Sequence, residues 1–177
     1  MKHIKRYNEN IDDMWTSTST NNKEYEIDYT SKNSIYHGVR SINVSRNGIR
    51  AQVKAKFDSG AKSSSIDFKV AKKLGLSEHF IATCKKLDSV DLSKYTKDAR
   101  NISLLEQRRI EDLFFKELKK AFPEIVAVKL VKSSSGFSMR MTIGLNIEYN
   151  GKVIQTDANV RDRRGLSCEM LVGLKDM

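Results

Sequence analysis

The chain has 177 residues, a formal net charge of +10 and a pI of about 9.6. That length is typical of one domain with an appended segment and is long enough to bury a hydrophobic core. No stretch approaches the roughly 20 apolar residues of a transmembrane helix, and the basic start of the chain is not followed by the apolar segment of a secretory signal. The sequence therefore argues against a membrane-spanning or secreted protein.

Positive charge is spread along the whole sequence, with 32 Lys and Arg residues against 22 Asp and Glu residues. Such a balance favours solubility or an anionic partner. No run reaches the roughly five or six like charges of a nucleic-acid-binding tail, and aromatic and basic residues do not interleave as they do in single-strand binders. A basic, nucleic-acid-associated protein is therefore the least favoured function class, although charge alone leaves it open.

The cysteines and histidines are few and widely spaced. Cys84 and Cys168 do not form a short-range pair, so the sequence predicts no disulfide framework and a reducing, cytoplasmic environment. His3, His37 and His79 lack the spacing of metal ligands. We therefore predict neither a metal site nor a cofactor.

The N-terminal part of the chain differs in composition from the rest. Residues 1–33 are polar and rich in Ser, Thr, Asn and Lys, most clearly in the segment 16–22, and Trp15 is one of their few apolar side chains. Such a segment buries too little apolar surface to offset the entropy lost on ordering. The sequence therefore predicts a flexible polar arm at 1–33 and a folded domain at 34–177.

The folded domain begins with a predicted β-hairpin. Residues 42–45 and 49–57 alternate between apolar and polar side chains, and Asn47-Gly48 lies between them. An Asn-Gly pair between two alternating runs is a strong hairpin signal. Asp58 then follows the second strand directly, which places a carboxylate at the end of a rigid element.

The segment Asp58-Ser59-Gly60-Ala61 is the clearest candidate for a functional site. Gly60 would allow the backbone to pass close to a partner carboxylate and to adopt dihedral angles that a Cβ would forbid, and the Ser59 hydroxyl can brace the turn or its symmetry mate. Asp-Ser-Gly is also common in ordinary turns, where Asx-type hydrogen bonds explain it without catalysis. The motif by itself therefore does not establish a catalytic site.

Helical patterns follow. Residues 67–76 carry apolar side chains at spacings of three and four and end at Gly75, and residues 79–87 form a second, shorter pattern. Ser103 and Glu106 have the spacing of a capping box, which opens an amphipathic helix that Pro123 closes. We therefore predict a helical insertion at 77–124, with the charged face of its long helix in solvent.

The C-terminal third returns to β-strand patterns. A polar, small-residue tip at 132–137 separates two predicted strands, a second Asn-Gly pair at 150–151 marks another hairpin, and a short apolar strand lies near the end. The predicted strands are 125–131, 138–143, 145–149, 152–160 and 170–173.

This order of parts resembles a retropepsin-like aspartic peptidase, and more closely the bacterial family catalogued under the name ATP-dependent zinc protease. Residues 55–64 match that family's Ala-Lys-Ile-Asp-Thr-Gly-Ala-Lys-Thr-Ser motif. Residues 131–136 match its Val-Arg/Lys-x-Ser-x-Gly segment, and Asp162-Arg163 followed by 171–173 matches its Asp-Arg turn and Leu-Ile/Leu-Gly strand. The resemblance covers roughly residues 35–76 and 125–177.

Two features depart from the family pattern. The segment 77–124 is much longer than the family's usual connection, and Leu174 stands where the family usually has Arg. Retropepsins use their chain ends at the dimer interface. The short segment after Gly173 therefore argues against an active dimer.

The resemblance implies a mainly β fold, namely a retropepsin-like closed β-barrel half-site built of hairpins, with the helical insertion and the polar arm added to it. It also implies a role for each matched position. These are catalysis by Asp58, support of the catalytic loop by Ser59, Gly60 and Ala61, substrate binding by a flap at Ser133, Ser134, Ser135 and Gly136, and structural support by Leu171, Val172 and Gly173.

A homodimeric aspartic endopeptidase acting on polypeptides follows from this resemblance. One Asp-Ser-Gly per chain supplies one carboxylate, so Asp58 of two subunits would share a proton and activate a water. The first nine residues look like the start of some tailed-phage proteins. We therefore expect a bacterial protein, or a phage-encoded one inside its host.

Two alternatives remain open at this point. The same fold without catalysis would serve assembly or partner binding, through the arm and the insertion, in a phage structural or maturation role. A basic nucleic-acid-associated protein is the third hypothesis. An acid retained at the turn favours the peptidase, because a scaffold does not need it.

Overall fold

The structure of the protein, a computed structural model, describes residues 38–96, 98–99, 101–133 and 136–177, with Ser133 described by its backbone alone. The predicted N-terminal arm at 1–33 and the two tip residues Ser134 and Ser135 lie outside the described residues.

The described chain contains seven strands and three helices. The strands are β1 (Val39–Arg46), β2 (Ile49–Asp58), β3 (Ser64–Asp67), β4 (Ile125–Ser133), β5 (Gly136–Tyr149), β6 (Lys152–Arg161) and β7 (Met170–Gly173). The helices are α1 (Phe68–Lys73), α2 (Glu78–Asp88) and α3 (Leu104–Ala121), and 3-10 turns form at Leu92–Lys94 and Leu174–Asp176.

The strands form one sheet that curls into a near-ring. Their order is β1-β2-β7-β3-β6-β5-β4, and β1 pairs again with β5 at Asn43–Ser45. The pairs β2–β7 and β3–β6 are parallel, and the other pairs are antiparallel. Strand β4 lies outside this near-ring, at the end of the strand order. The observed architecture is thus mixed α/β, because three helices accompany the sheet.

Both predicted Asn-Gly hairpins are confirmed. Asn47 and Gly48 have φ angles of 48° and 79°, and Asn150 and Gly151 have φ angles of 47° and 71°. Positive φ at both central residues is the requirement of a type I′ turn, whose twist matches that of the strands on either side. The first of these turns fixes the register of β2 and therefore the position of Asp58.

The sequence patterns predicted the beginnings of α2 and α3 correctly but did not predict strand β3, which precedes the helices. Ser103 and Glu106 form the predicted capping box of α3, and Ser77 caps α2. Residues 64–67, however, form the buried strand β3, and Asp67 caps a shorter α1 that begins only at Phe68. Three consecutive serines do not read as a core strand, but here β3 lies between β6 and β7, which satisfy its backbone.

The hydrophobic core fills the inside of the near-ring and the space beneath the helices. Its largest fully buried side chains include Ile66, Phe80, Met139 and Met170. Cys84 is also buried there, and burial, with a smaller effect of Asp88, raises the pKa of its thiol to about 12. Among the described residues, no helix has the length and the apolar character needed to cross a membrane.

Helix α3 covers the outer edge of β4 with polar side chains. Glu111 Oε1 accepts a hydrogen bond from the Leu130 N–H at 2.8 Å, and Gln107 Nε2 donates to the Leu130 carbonyl at 3.1 Å. Further along the helix, Lys119 Nζ donates to the carbonyl of Ile125 at 2.6 Å. Residues 107, 111, 115 and 119 share one side of a helix because they are four apart. This side takes the place of a partner strand at an edge that could otherwise pair with another chain.

We expect Glu111→Ala to lower the free energy of unfolding by about 1–3 kcal/mol, because the buried Leu130 N–H loses its acceptor. Glu111→Gln should lose less, since an amide oxygen can still accept. Glu117→Ala, at an exposed position of the same helix, is the control. Urea denaturation gives the stabilities, and amide hydrogen exchange at Leu130 should accelerate only in Glu111→Ala. Unchanged exchange there would contradict the role of Glu111.

Candidate functional site

Asp58 is the last residue of β2 and lies half-buried at the point where the chain leaves the sheet. Its Oδ1 accepts a hydrogen bond from the Gly60 N–H at 2.9 Å, and its carbonyl accepts one from the Ala61 N–H at 3.1 Å. Ser59, also half-buried, lies within this turn. The first bond fixes the direction of the carboxylate and is the Asx-type bond of an ordinary turn. The second is a backbone bond that closes the turn.

The structure corrects the reason for glycine at position 60. Gly60 is not among the residues with positive φ, so it is not required for an unusual backbone conformation. A Cβ placed on it would lie 3.2 Å from Asp58 Oδ1, a tight contact with the carboxylate. Glycine at this position therefore leaves room for the Asp58 side chain.

Strand β7, which contains Leu171, Val172 and Gly173, lies beside the strand that ends in this turn. It runs parallel to β2, and Asp58 and Gly173 are Cα partners in the pairing. A Cβ on Gly173 would lie only 2.5 Å from the backbone carbon of Ser63. No side chain fits between the two backbones, so glycine is required here for the close approach of β7 to the Asp58 loop.

Two hydrogen bonds attach the end of β7 to the loop. The Leu174 N–H donates to the Ala61 carbonyl at 2.8 Å, and the Gly173 N–H donates to Ser64 Oγ at 3.0 Å. The Ser64 hydroxyl in turn donates to Asp176 Oδ2 at 2.5 Å. Asp176 lies in the 3-10 turn after β7, and the side chains of Ser64 and Asp176 are both buried. The chain between Gly173 and Asp176 thus folds back onto the loop.

A second buried polar group holds the loop from the side of β6. Asn159 Nδ2 donates to Ser63 Oγ at 3.0 Å and to the Ser64 carbonyl at 3.4 Å. Its Oδ1 accepts from Thr142 Oγ1 of β5 at 3.0 Å. Sequence analysis missed Asn159, Thr142 and Asp176. The available signal for Asn159 was an amide between two apolar residues in a predicted strand.

The Asp162-Arg163 turn forms a buried corner at the far end of β3 and does not join the Asp58 loop directly. The Arg163 guanidinium donates to Ser65 Oγ at 2.9 Å and to the Cys168 carbonyl at 3.3 Å, and its backbone N–H donates to Asp67 Oδ2 at 2.8 Å. Hydrogen bonds from Arg164 lower the pKa of Asp162 to about 2. This corner fixes the C-terminal end of β3. The Asp58 loop leads into the other end of that strand, at Ser64.

The hairpin of β4 and β5 carries the predicted flap. Ser133 and Gly136 are paired at its end, and Gly136 has a φ of 113°. Arg140 anchors the β5 arm, because its Nε donates to Ser138 Oγ at 3.0 Å and lies 3.9 Å from Asp88 Oδ1 of α2. Burial, with a smaller effect of Arg161, lowers the pKa of Arg140 to about 10. The hairpin and the Asp58 loop belong to one sheet, since β5 pairs with β6 and β6 with β3.

Comparisons with known proteins leave this site to be interpreted from its own residues. No protein-family model and no curated protein matches the chain. Within the described part of the chain, no group of three or more His, Cys, Asp or Glu side chains could hold a metal ion. The candidate reactive group of the loop is the Asp58 carboxylate, which the Gly60 N–H holds at the end of β2.

Proposed function

We propose that this protein is a homodimeric aspartic endopeptidase with a retropepsin-like fold. The observation that carries the proposal is the geometry of Asp58. Its carboxylate lies at the end of β2 and accepts from the Gly60 N–H, and its backbone is paired with Gly173 of the adjacent parallel strand. The Asx-type bond is also found in ordinary turns, so the proposal depends on this carboxylate together with the close approach of Gly173 to the Ser63 backbone, which fixes the loop.

The chemistry requires two chains. Each chain contributes one Asp58, and two carboxylates about 3 Å apart share a proton because both cannot be ionised at low cost. One carboxylate then takes a proton from a water that attacks the peptide carbonyl, and the other donates a proton to that carbonyl oxygen. The apparent pKa values belong to the pair. No metal and no cofactor enters this mechanism.

The β4–β5 hairpin is the proposed flap. Ser133, Ser134, Ser135 and Gly136 would form its tip and close over an extended polypeptide substrate, which pairs through its backbone. Leu171, Val172 and Gly173 would support the catalytic loop. We propose that the protein acts in the cytoplasm of a bacterium, or in that of a host infected by a phage that encodes it.

A binding module on the same fold is the second candidate. The observation that favours it is the exposed apolar surface at the start of α3, where Leu104 and Leu105 are 76% and 80% exposed. Leu113, two turns beyond Leu105, is also exposed. Such side chains on one helix are typical of a surface that another protein covers.

The test is cleavage of a diverse peptide library between about pH 4 and 7, the range in which a carboxylate pair sharing a proton is expected to act. Wild type should cleave, and Asp58→Asn should reduce the rate by at least about a hundredfold, because it removes the general acid and base. Asp112→Asn, the same substitution at an exposed site on α3, should retain full activity.

Two results would contradict the peptidase. One is an absence of cleavage by a folded wild-type dimer, and the other is a strictly monomeric protein at micromolar concentration. Either result, with binding of a protein partner abolished by Leu105→Glu, would support the binding module instead.

A further inference from the structure

We infer that Asp176 is a positioning residue for Asp58 and acts on it through the Ser64 hydroxyl. This inference rests on the proposed peptidase function for its catalytic meaning. The structural part of it, that Asp176 holds the Asp58 loop, is measurable without any activity.

The first step is the direction of the Ser64 proton. The Gly173 backbone N–H can only donate, so Ser64 Oγ accepts from it at 3.0 Å. The hydroxyl proton must then point elsewhere, and the acceptor it meets is Asp176 Oδ2 at 2.5 Å. Asp176 therefore keeps a lone pair of Ser64 Oγ directed at Gly173. Without an acceptor at position 176, the hydroxyl would be free to rotate and its bond to Gly173 would weaken.

The second step connects Gly173 with Asp58. The two residues are Cα partners in the β2–β7 pairing, and the next residue, Leu174, donates its N–H to the carbonyl of Ala61. Loss of the Gly173–Ser64 bond would thus loosen the contact on which the turn after Asp58 rests. A displacement of about 1 Å in a catalytic group is enough to cost on the order of a hundredfold in rate.

Asp176 is buried although its side chain ends in a carboxyl group, which points to a specific role. Its side chain is only 7% exposed, and it borders a polar cleft of about 570 Å³ beside Lys175 and Asp157. A carboxylate is buried at low cost only when hydrogen bonds satisfy it. Asp157, by contrast, is exposed in the same cleft, so it offers a matched control for any substitution at 176.

The experiment compares Asp176→Leu, Asp176→Asn, Ser64→Ala and Asp157→Leu, all at a temperature where circular dichroism shows them folded. We expect Asp176→Leu and Ser64→Ala to lower kcat about tenfold to a hundredfold with KM nearly unchanged. Asp176→Asn should recover most of kcat, because its amide oxygen still accepts from Ser64. Asp157→Leu should match wild type. Rescue by Asn separates positioning from a simple need for an acid.

Amide hydrogen exchange supplies the second readout. In Asp176→Leu the amides of Gly60, Ala61, Gly173 and Leu174 should exchange faster than in wild type, and in Asp157→Leu they should not. Unchanged exchange together with unchanged kcat would overturn the inference and leave the peptidase standing. If wild type does not cleave peptides, the proposed function fails, and the exchange rates alone decide whether Asp176 holds the loop. If Asp176→Leu does not fold, Ser64→Ala carries the same test.

Discussion

Gly173→Ala is expected to lower the free energy of unfolding by about 3 kcal/mol or more, the largest effect of any single methyl group in the described chain. The added Cβ would lie 2.5 Å from the Ser63 carbon and 2.8 Å from its nitrogen and oxygen. These are backbone atoms of the residue directly before β3, so they cannot move aside as a flexible side chain would. Either β7 separates from β3, or the Asp58 loop is displaced.

Two further glycines provide a graded control for this prediction. A Cβ on Gly144 of β5 would lie 3.7 Å from Val126 and 3.8 Å from Asp157, which are ordinary contacts, and a Cβ on Gly60 would lie 3.2 Å from Asp58. Urea denaturation should therefore rank the alanine variants in the order Gly144, Gly60, Gly173, from smallest to largest loss. Equal losses at Gly173 and Gly144 would show that β7 does not pack against the loop as described.

Asp67→Ala is expected to be the second most damaging change, with a loss of about 2–4 kcal/mol. Asp67 is 5% exposed and accepts two backbone hydrogen bonds, from the Lys69 N–H at the start of α1 and from the Arg163 N–H. Alanine would remove a helix cap and leave the Arg163 N–H without its acceptor in a buried corner. The loss should therefore exceed that of a cap alone.

Asp91→Ala is the matched control. Asp91 Oδ1 also accepts from the backbone N–H two residues further along, that of Ser93, but it does so at an exposed site. Water can replace the lost bond there, so the loss of stability should be clearly smaller than at Asp67. Thermal and urea unfolding of both variants provide the comparison. A loss at Asp67 no larger than at Asp91 would mean that the bond to Arg163 contributes nothing.

The parts that sequence analysis predicted correctly depend on neighbouring residues. An Asn-Gly pair between two alternating runs strongly favours positive φ angles at both residues, so both hairpins followed from residues 47–48 and 150–151. Ser103 and Glu106 are three positions apart and form their capping box within one turn of helix. Asp58 was placed correctly at a strand end for the same reason, since the strand pattern of 49–57 stops directly before it.

The parts that sequence analysis missed depend on residues far apart in the chain. Strand β3 begins with Ser64 and Ser65 and is a strand only because β6 and β7 enclose it. The sheet is a near-ring because β1 also pairs with β5, for example at Ser45 and Asn146. No local sequence pattern encodes such a pairing. The flap assignment of Ser133–Gly136 and the role of Asp58 remain proposals that cleavage experiments will test.

Interactions within a few residues specify the two hairpins, the helices between residues 77 and 124, and the position of one acidic residue at the end of a strand. What surrounds that residue depends on contacts between distant parts of the chain. Ser64 and Asp176 are 112 positions apart, and Asn159 lies 96 positions from Ser63. Their hydrogen bonds exist because the sheet closes and excludes water from polar side chains, which must then find partners in one another.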